Sequence, residues 1–96
     1  MATVIMQRWD GFTPDQYEAL RDIVRWDQDK PAGMQVHVAN FLDGTMRLLD
    51  VWDTEDEFDE FVAARIVPGL EKLGIPGLPE KIVAPLHELT CGHVIP

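Results

Sequence analysis

Met34-Gln35-Val36-His37-Val38-Ala39-Asn40-Phe41-Leu42-Asp43-Gly44-Thr45-Met46-Arg47-Leu48-Leu49-Asp50-Val51-Trp52 is the stretch whose reading decides the fold. It holds two runs of strand-forming residues, 34–42 and 45–52, on either side of Asp43-Gly44. That dipeptide suits a two-residue type I′ turn, whose central residues both need positive φ. Such a turn sets the register: Val36 faces Val51, Val38 faces Leu49 and Asn40 faces Arg47. On the other face His37 faces Asp50, Ala39 faces Leu48 and Gln35 faces Trp52. One face is then aliphatic. The other gathers an imidazole, a carboxylate, an amide and an indole. A three-residue turn or a bulge would slip the register and break these pairs.

Outward from the hairpin, residues 3–9 form another strand, ended by Asp10-Gly11. Thr13-Pro14-Asp15-Gln16 opens a helix with a capping box, and Tyr17, Leu20, Ile23 and Val24 recur at helical spacing over 14–25. Residues 27–33 are a loop by composition. Thr54 to Glu57 repeats the capping-box pattern, with acids at the positive end of a second helix. Its apolar stripe runs Phe58, Phe61, Val62, Ile66, Leu70, Leu73, interrupted by Arg65. Pro68 should kink or restart it, and Gly74 should stop it. Residues 80–89 read as a last strand, at an edge or bulge because of Pro85. The tail from Leu89 is irregular, and Val94-Ile95-Pro96 is expected to pack across a partner.

The order β-α-β-β-α-β makes residues 1–96 a single α+β domain. It predicts a ferredoxin-like sandwich: a four-stranded antiparallel sheet with two helices on one face. The bare sheet face is apolar, so a second copy of the chain is its expected cover.

Length and composition agree with one core. The chain has 96 residues, 46% hydrophobic and 26% charged, which is globular rather than disordered. No apolar run is long enough to span a membrane, and no secretory signal is visible, so the expected compartment is the cytoplasm. A net charge of −9 argues against nucleic acid or an anionic membrane as partner. The lone Cys91 excludes an internal disulfide.

The run Met46 to Phe58, with Phe61-Val62 and Ile66-Val67-Pro68, resembles the dimeric α+β barrel superfamily. More narrowly it resembles small actinobacterial-type members of that superfamily with no assigned role. The acid–hydrophobic–Trp sequence ahead of an acidic capped helix also resembles the antibiotic-biosynthesis monooxygenase group. The resemblance implies a homodimer and a small-molecule pocket. It admits cofactor-free monooxygenases, cyclases, isomerases and members without activity. Haem-degrading relatives carry a His ligand on the second helix. None lies between Glu55 and Gly74 here, so haem is not expected.

The residues suggest chemistry directly. Asp50 could orient His37 and raise its basicity, and His37 could then deprotonate a phenol, enol or α-carbon. Trp52 could stack on an aromatic substrate, with Gln35 beside it. Trp9, which shares a strand face with Gln7, could flank the cavity along with Tyr17, Phe58 and Phe61. Arg65 could bind a carboxylate. The structural alternatives stand beside these: a satisfied His37–Asp50 pair, core roles for Trp52, Trp9 and Tyr17, and an Arg65 whose stem packs while its charge reaches water. No cofactor and no metal is expected. The His87-x3-Cys91-x-His93 spacing supplies only three ligands in a loose tail, and the acids 53–57 match no calcium loop. The leading reading is a cofactor-independent monooxygenase acting on an apolar, aromatic or enolisable substrate. An isomerase or cyclase in the same pocket, or a non-catalytic dimeric binding or accessory protein, is the alternative. A cavity of a few hundred Å³ beside His37 would favour an enzyme.

Overall fold

A computed structural model describes residues 1–92. The expected packing of Val94, Ile95 and Pro96, and the third potential ligand His93, lie outside the described residues. Four strands, β1 (Thr3–Asp10), β2 (Met34–Leu42), β3 (Thr45–Trp52) and β4 (Glu80–Pro85), form one antiparallel sheet in the order β2-β3-β1-β4. The helices are α1 (Pro14–Val24) after β1, and a second helical path after β3 made of α2 (Glu55–Phe61), a π-helical turn (Val62–Ile66) and α3 (Val67–Leu73). This is the ferredoxin-like α+β arrangement that the sequence predicts. No helix among the described residues is long and apolar enough to cross a membrane.

The local signals account for most boundaries. Asp43 and Gly44 both take positive φ, 52° and 77°, as a type I′ turn requires. From Val36 onward the β2–β3 register follows from that turn: Val36↔Val51, His37↔Asp50, Val38↔Leu49. Thr13 closes a full capping box with Gln16, with bonds of 2.9 and 3.1 Å. Thr54 caps the N–H of Glu57 at 3.2 Å. The expected reciprocal half of that box does not form: the Glu57 carboxylate accepts from the Thr54 hydroxyl at 2.9 Å instead.

Three expectations need correction. A β-bulge between Met34 and Val36 pairs Met34, not Gln35, with Trp52. Gln35 is squeezed out to the surface, where its amide donates to Asp53 at 2.7 Å. The last strand stops at Pro85 instead of reaching residue 89, because proline gives no N–H to the ladder. The first helix ends at Val24, one residue early, with Arg25 in the left-handed region as cap (φ 63°). Pro68 stands in the first turn of α3, where the second helical path restarts as expected. Without an N–H it cannot bond the Ala64 carbonyl, and the π turn just before it absorbs the irregularity: the Val67 N–H reaches Val62, five residues back.

Ile5, Trp52 and Phe58 form one buried cluster under α2; Phe12, Leu20, Val24, Trp26, Met46 and Leu70 form a second under α1 and α3. Gly69 lets α1 and α3 approach, since a Cβ there would sit 2.9 Å from both Leu20 Cδ1 and Val24 Cγ2. The far sheet face is aliphatic and open: Met6, Val38, Leu49 and Ile82 are all exposed there.

Candidate functional site

β2 and β3 carry His37 and Asp50 on the helix-facing side of the sheet, directly opposite one another. Their side chains meet: His37 Nδ1 lies 2.7 Å from Asp50 Oδ1. Asp50 is buried, and its second oxygen accepts from the Trp52 indole N–H at 3.1 Å. On the far side of the imidazole, Nε2 lies 2.8 Å from the Tyr17 hydroxyl, which α1 lowers onto the sheet. The four side chains form one chain of hydrogen bonds, Tyr17–His37–Asp50–Trp52. An ionised Asp50 only accepts, so His37 donates from Nδ1 and Nε2 accepts the Tyr17 proton. Burial pushes the Tyr17 phenol above its ordinary pKa, against the pull of the nearby Arg21 cation; Glu18 and Asp50 add to the rise. Tyr17 therefore stays a proton donor.

Tyr17, His37 and Asp50 line an apolar cavity of about 70 Å³ between the sheet and the helices. Trp9, Phe12, Trp26, Phe58 and Phe61 supply aromatic wall, and the π turn and the 78–79 loop complete it. The volume is below the few hundred Å³ named as favouring an enzyme. It is about half the roughly 150 Å³ of an engineered cavity that accepts benzene, so a ring-sized ligand requires the wall to move. The π turn is the irregular part of that wall, a feature that recurs at functional sites.

Of the nine side chains that the sequence singles out, six reach the cavity: Trp9, Tyr17, His37, Asp50, Phe58 and Phe61. Three do not. Trp52 has no exposed surface and packs edge-on against Phe58, ring centroids 5.5 Å apart, so it anchors Asp50 from behind and cannot stack on a ligand in the cavity. Gln35 is displaced by the bulge. Arg65 donates to the backbone carbonyls of Val24 (2.7 Å) and Asp29 (2.8 Å), with its guanidinium over the Phe61 ring. It satisfies the unpaired carbonyl end of α1 rather than facing the cavity. The second ring nitrogen of His37 is occupied by Tyr17, a contact between elements that no local spacing announces. Trp26 and Gln7 also line the cavity. The β1 alternation gives Gln7 its inward face, but Trp26 follows the end of α1 and carries no pattern that marks it. Among the described residues, no three His, Cys, Asp or Glu side chains gather closely enough to hold a metal ion.

The ferredoxin-like fold is shared by solved structures of distant sequence. Similar solved structures include Rv0793 of Mycobacterium tuberculosis (17% identity, 94% of this chain and all of that one, TM-score 0.66). SnoaB of Streptomyces nogalater, a cofactor-independent oxygenase, is 15% identical over 92% of this chain and 94% of its own, with a TM-score of 0.63. A protein of unknown function from Nitrosomonas europaea, NE2512, is 18% identical over 95% and 96%, with a TM-score of 0.61. No family model matches the sequence, and no curated protein does.

Proposed function

We propose that this chain is a small-molecule enzyme of the cofactor-independent monooxygenase type, acting on an apolar phenol or enol bound beside Tyr17 and His37. The hydrogen-bonded chain Tyr17–His37–Asp50 at the wall of an apolar cavity carries the reading. A substrate hydroxyl that donates to the Tyr17 oxygen can lose its proton through Tyr17 to His37 Nε2. Asp50, held by Trp52, stabilises the imidazolium that results. The aromatic walls keep water from the anion and hold it flat. The anion reduces oxygen, the two fragments join through a new C–O bond, and the hydroperoxide loses water to leave a carbonyl. A phenol and one O₂ thus become a quinone and one H₂O, with no further reductant. The oxygenase SnoaB has the same fold, which supports the reaction type by analogy. Isomerisation or cyclisation would use the same proton relay.

Oxygen uptake with mass detection of products, over a panel of phenols and enols, tests this. Turnover that is lost in His37→Ala supports it; no uptake with any ligand that binds the cavity overturns it. The cavity's volume of about 70 Å³ favours a second reading, a non-catalytic binder, in which the same ligands bind and leave unchanged.

The unit of function in this reading is a homodimer. The open aliphatic face, with Leu49 43% exposed on the central strand β3 and Val38 47% exposed opposite it on the edge strand β2, supports a second copy as its cover.

A further inference from the structure

β1 places Gln7 on the helix-facing side of the sheet, between Ile5, which has no exposed surface, and the half-buried Trp9. Across the ladders it faces Leu48 and Lys81. Gln7 itself is partly exposed, and among the described residues no buried side-chain nitrogen or oxygen lacks a partner, so its amide keeps access to solvent and is free to bond a ligand. The other polar side chains of the cavity, Tyr17, His37 and Asp50, are bonded to one another. The Gln7 amide has no side-chain hydrogen bond among the described residues.

Its location adds a second observation. Gln7 lines the inner cavity and also an outer cleft of about 420 Å³. The two spaces share Phe58, Val62, Leu78 and Pro79 as a common wall. Leu78 is 53% exposed although it borders the inner cavity, so this side of the wall is thin. Gln7 therefore stands at the junction, on the opposite side of the inner cavity from Tyr17 and His37. Strand spacing and rise put its Cα about 12 Å from that of His37, two strands over and two residues along. Among the described residues Lys81 is the only cation of the outer cleft, and it is held by Asp59 at 2.8 Å and Glu55 at 3.5 Å, which favours a neutral occupant over an anion.

We infer that Gln7 is a specificity-determining residue. It hydrogen-bonds an oxygen function at the end of the ligand remote from His37, and the ligand extends past it from the inner cavity into the outer cleft. The ligand class is a neutral flat molecule about two rings long with oxygen at both ends. The inference rests on the small-molecule reading above and adds the group that reads the ligand's far end.

The test compares 2-naphthol with 2,6-dihydroxynaphthalene by titration calorimetry on the full chain. In the wild type the diol should bind about fivefold more tightly, the value of one neutral hydrogen bond. In Gln7→Leu that preference should fall to about onefold, while 2-naphthol binds within twofold of the wild type. Gln7→Met, similar in shape and lacking the amide, should behave the same and serves if Gln7→Leu fails to fold. A diol preference that survives both substitutions overturns the role of Gln7 and leaves the small-molecule reading standing. If the folded wild type binds neither compound, the cavity is not a ligand site, and both readings fall together.

Discussion

The Tyr17 hydroxyl and His37 Nε2 stand 2.8 Å apart with their rings in nearly parallel planes, tilted by 1°. One residue comes from α1 and the other from β2, so this bond ties the helix layer to the sheet at the wall of the cavity. It also makes the imidazole a bridge between a phenol and a carboxylate.

Loss of that phenol should be visible in the pH dependence of stability. The Tyr17 pKa is raised in the folded state by burial. Its contribution is fully present below the ordinary tyrosine value of about 10 and is lost as pH rises through the folded-state value. Urea denaturation from pH 8 to 11 should show wild-type stability falling across the alkaline end. Tyr17→Phe should fall less steeply there, and lie about 1 kcal/mol lower at neutral pH for the missing hydrogen bond. Lys81, raised chiefly by its bond to Asp59, titrates in the same region with the same sign, so the difference between the two proteins is the relevant quantity.

Asp50 holds two donors, His37 Nδ1–H and Trp52 Nε1–H, in a buried place. Asp50→Ala leaves both without an acceptor and should cost about 3 kcal/mol in urea unfolding. Asp50→Asn keeps one acceptor oxygen and should cost less. An Asp50→Ala variant as stable as wild type would mean the chain of bonds does not persist in solution.

Gly69→Ala tests the contact between α1 and α3. The added methyl meets Leu20 and Val24 at 2.9 Å. Overpacking costs about 1–3 kcal/mol, against about 1 kcal/mol gained from alanine's better helix propensity. The net expectation is a loss of about 1 kcal/mol, and Gly69→Val should lose more. Thermal and urea midpoints that rise for both would contradict the packing.

The open sheet face makes a prediction about mass. Light scattering should give about twice the 10.9 kDa of one chain. Leu49→Arg, which sets a charge in the middle of the aliphatic face, should shift the protein toward monomer without unfolding it. A monodisperse wild-type monomer would remove the dimer from the functional reading.

Much of the fold was legible because its causes are local. The Asp43-Gly44 turn needs residues that tolerate positive φ, and once the turn is set, the two-residue period of a strand places His37 opposite Asp50. The Thr13–Gln16 cap and the helical stripe beginning at Tyr17 are local in the same sense. The site was half legible. Strand alternation put His37 and Asp50 on one face of the hairpin and Trp9 and Gln7 on one face of the first strand, and helix periodicity put Tyr17, Phe58 and Phe61 on the inner stripes; that the two strand faces coincide was left to the structure.

The sequence by itself determined the element order, the strand faces and the His37–Asp50 pair, because each follows from backbone geometry within a few residues or across one tight turn. Tertiary structure alone decided that Tyr17 bonds His37, that Trp52 stands behind Asp50 rather than in the cavity, and that Arg65 closes the end of α1. It also decided that a bulge removes Gln35 from the ladder. These depend on how helices settle on a twisted sheet and on which polar atoms remain unpaired when they do, and neither quantity is set by the spacing of residues along the chain.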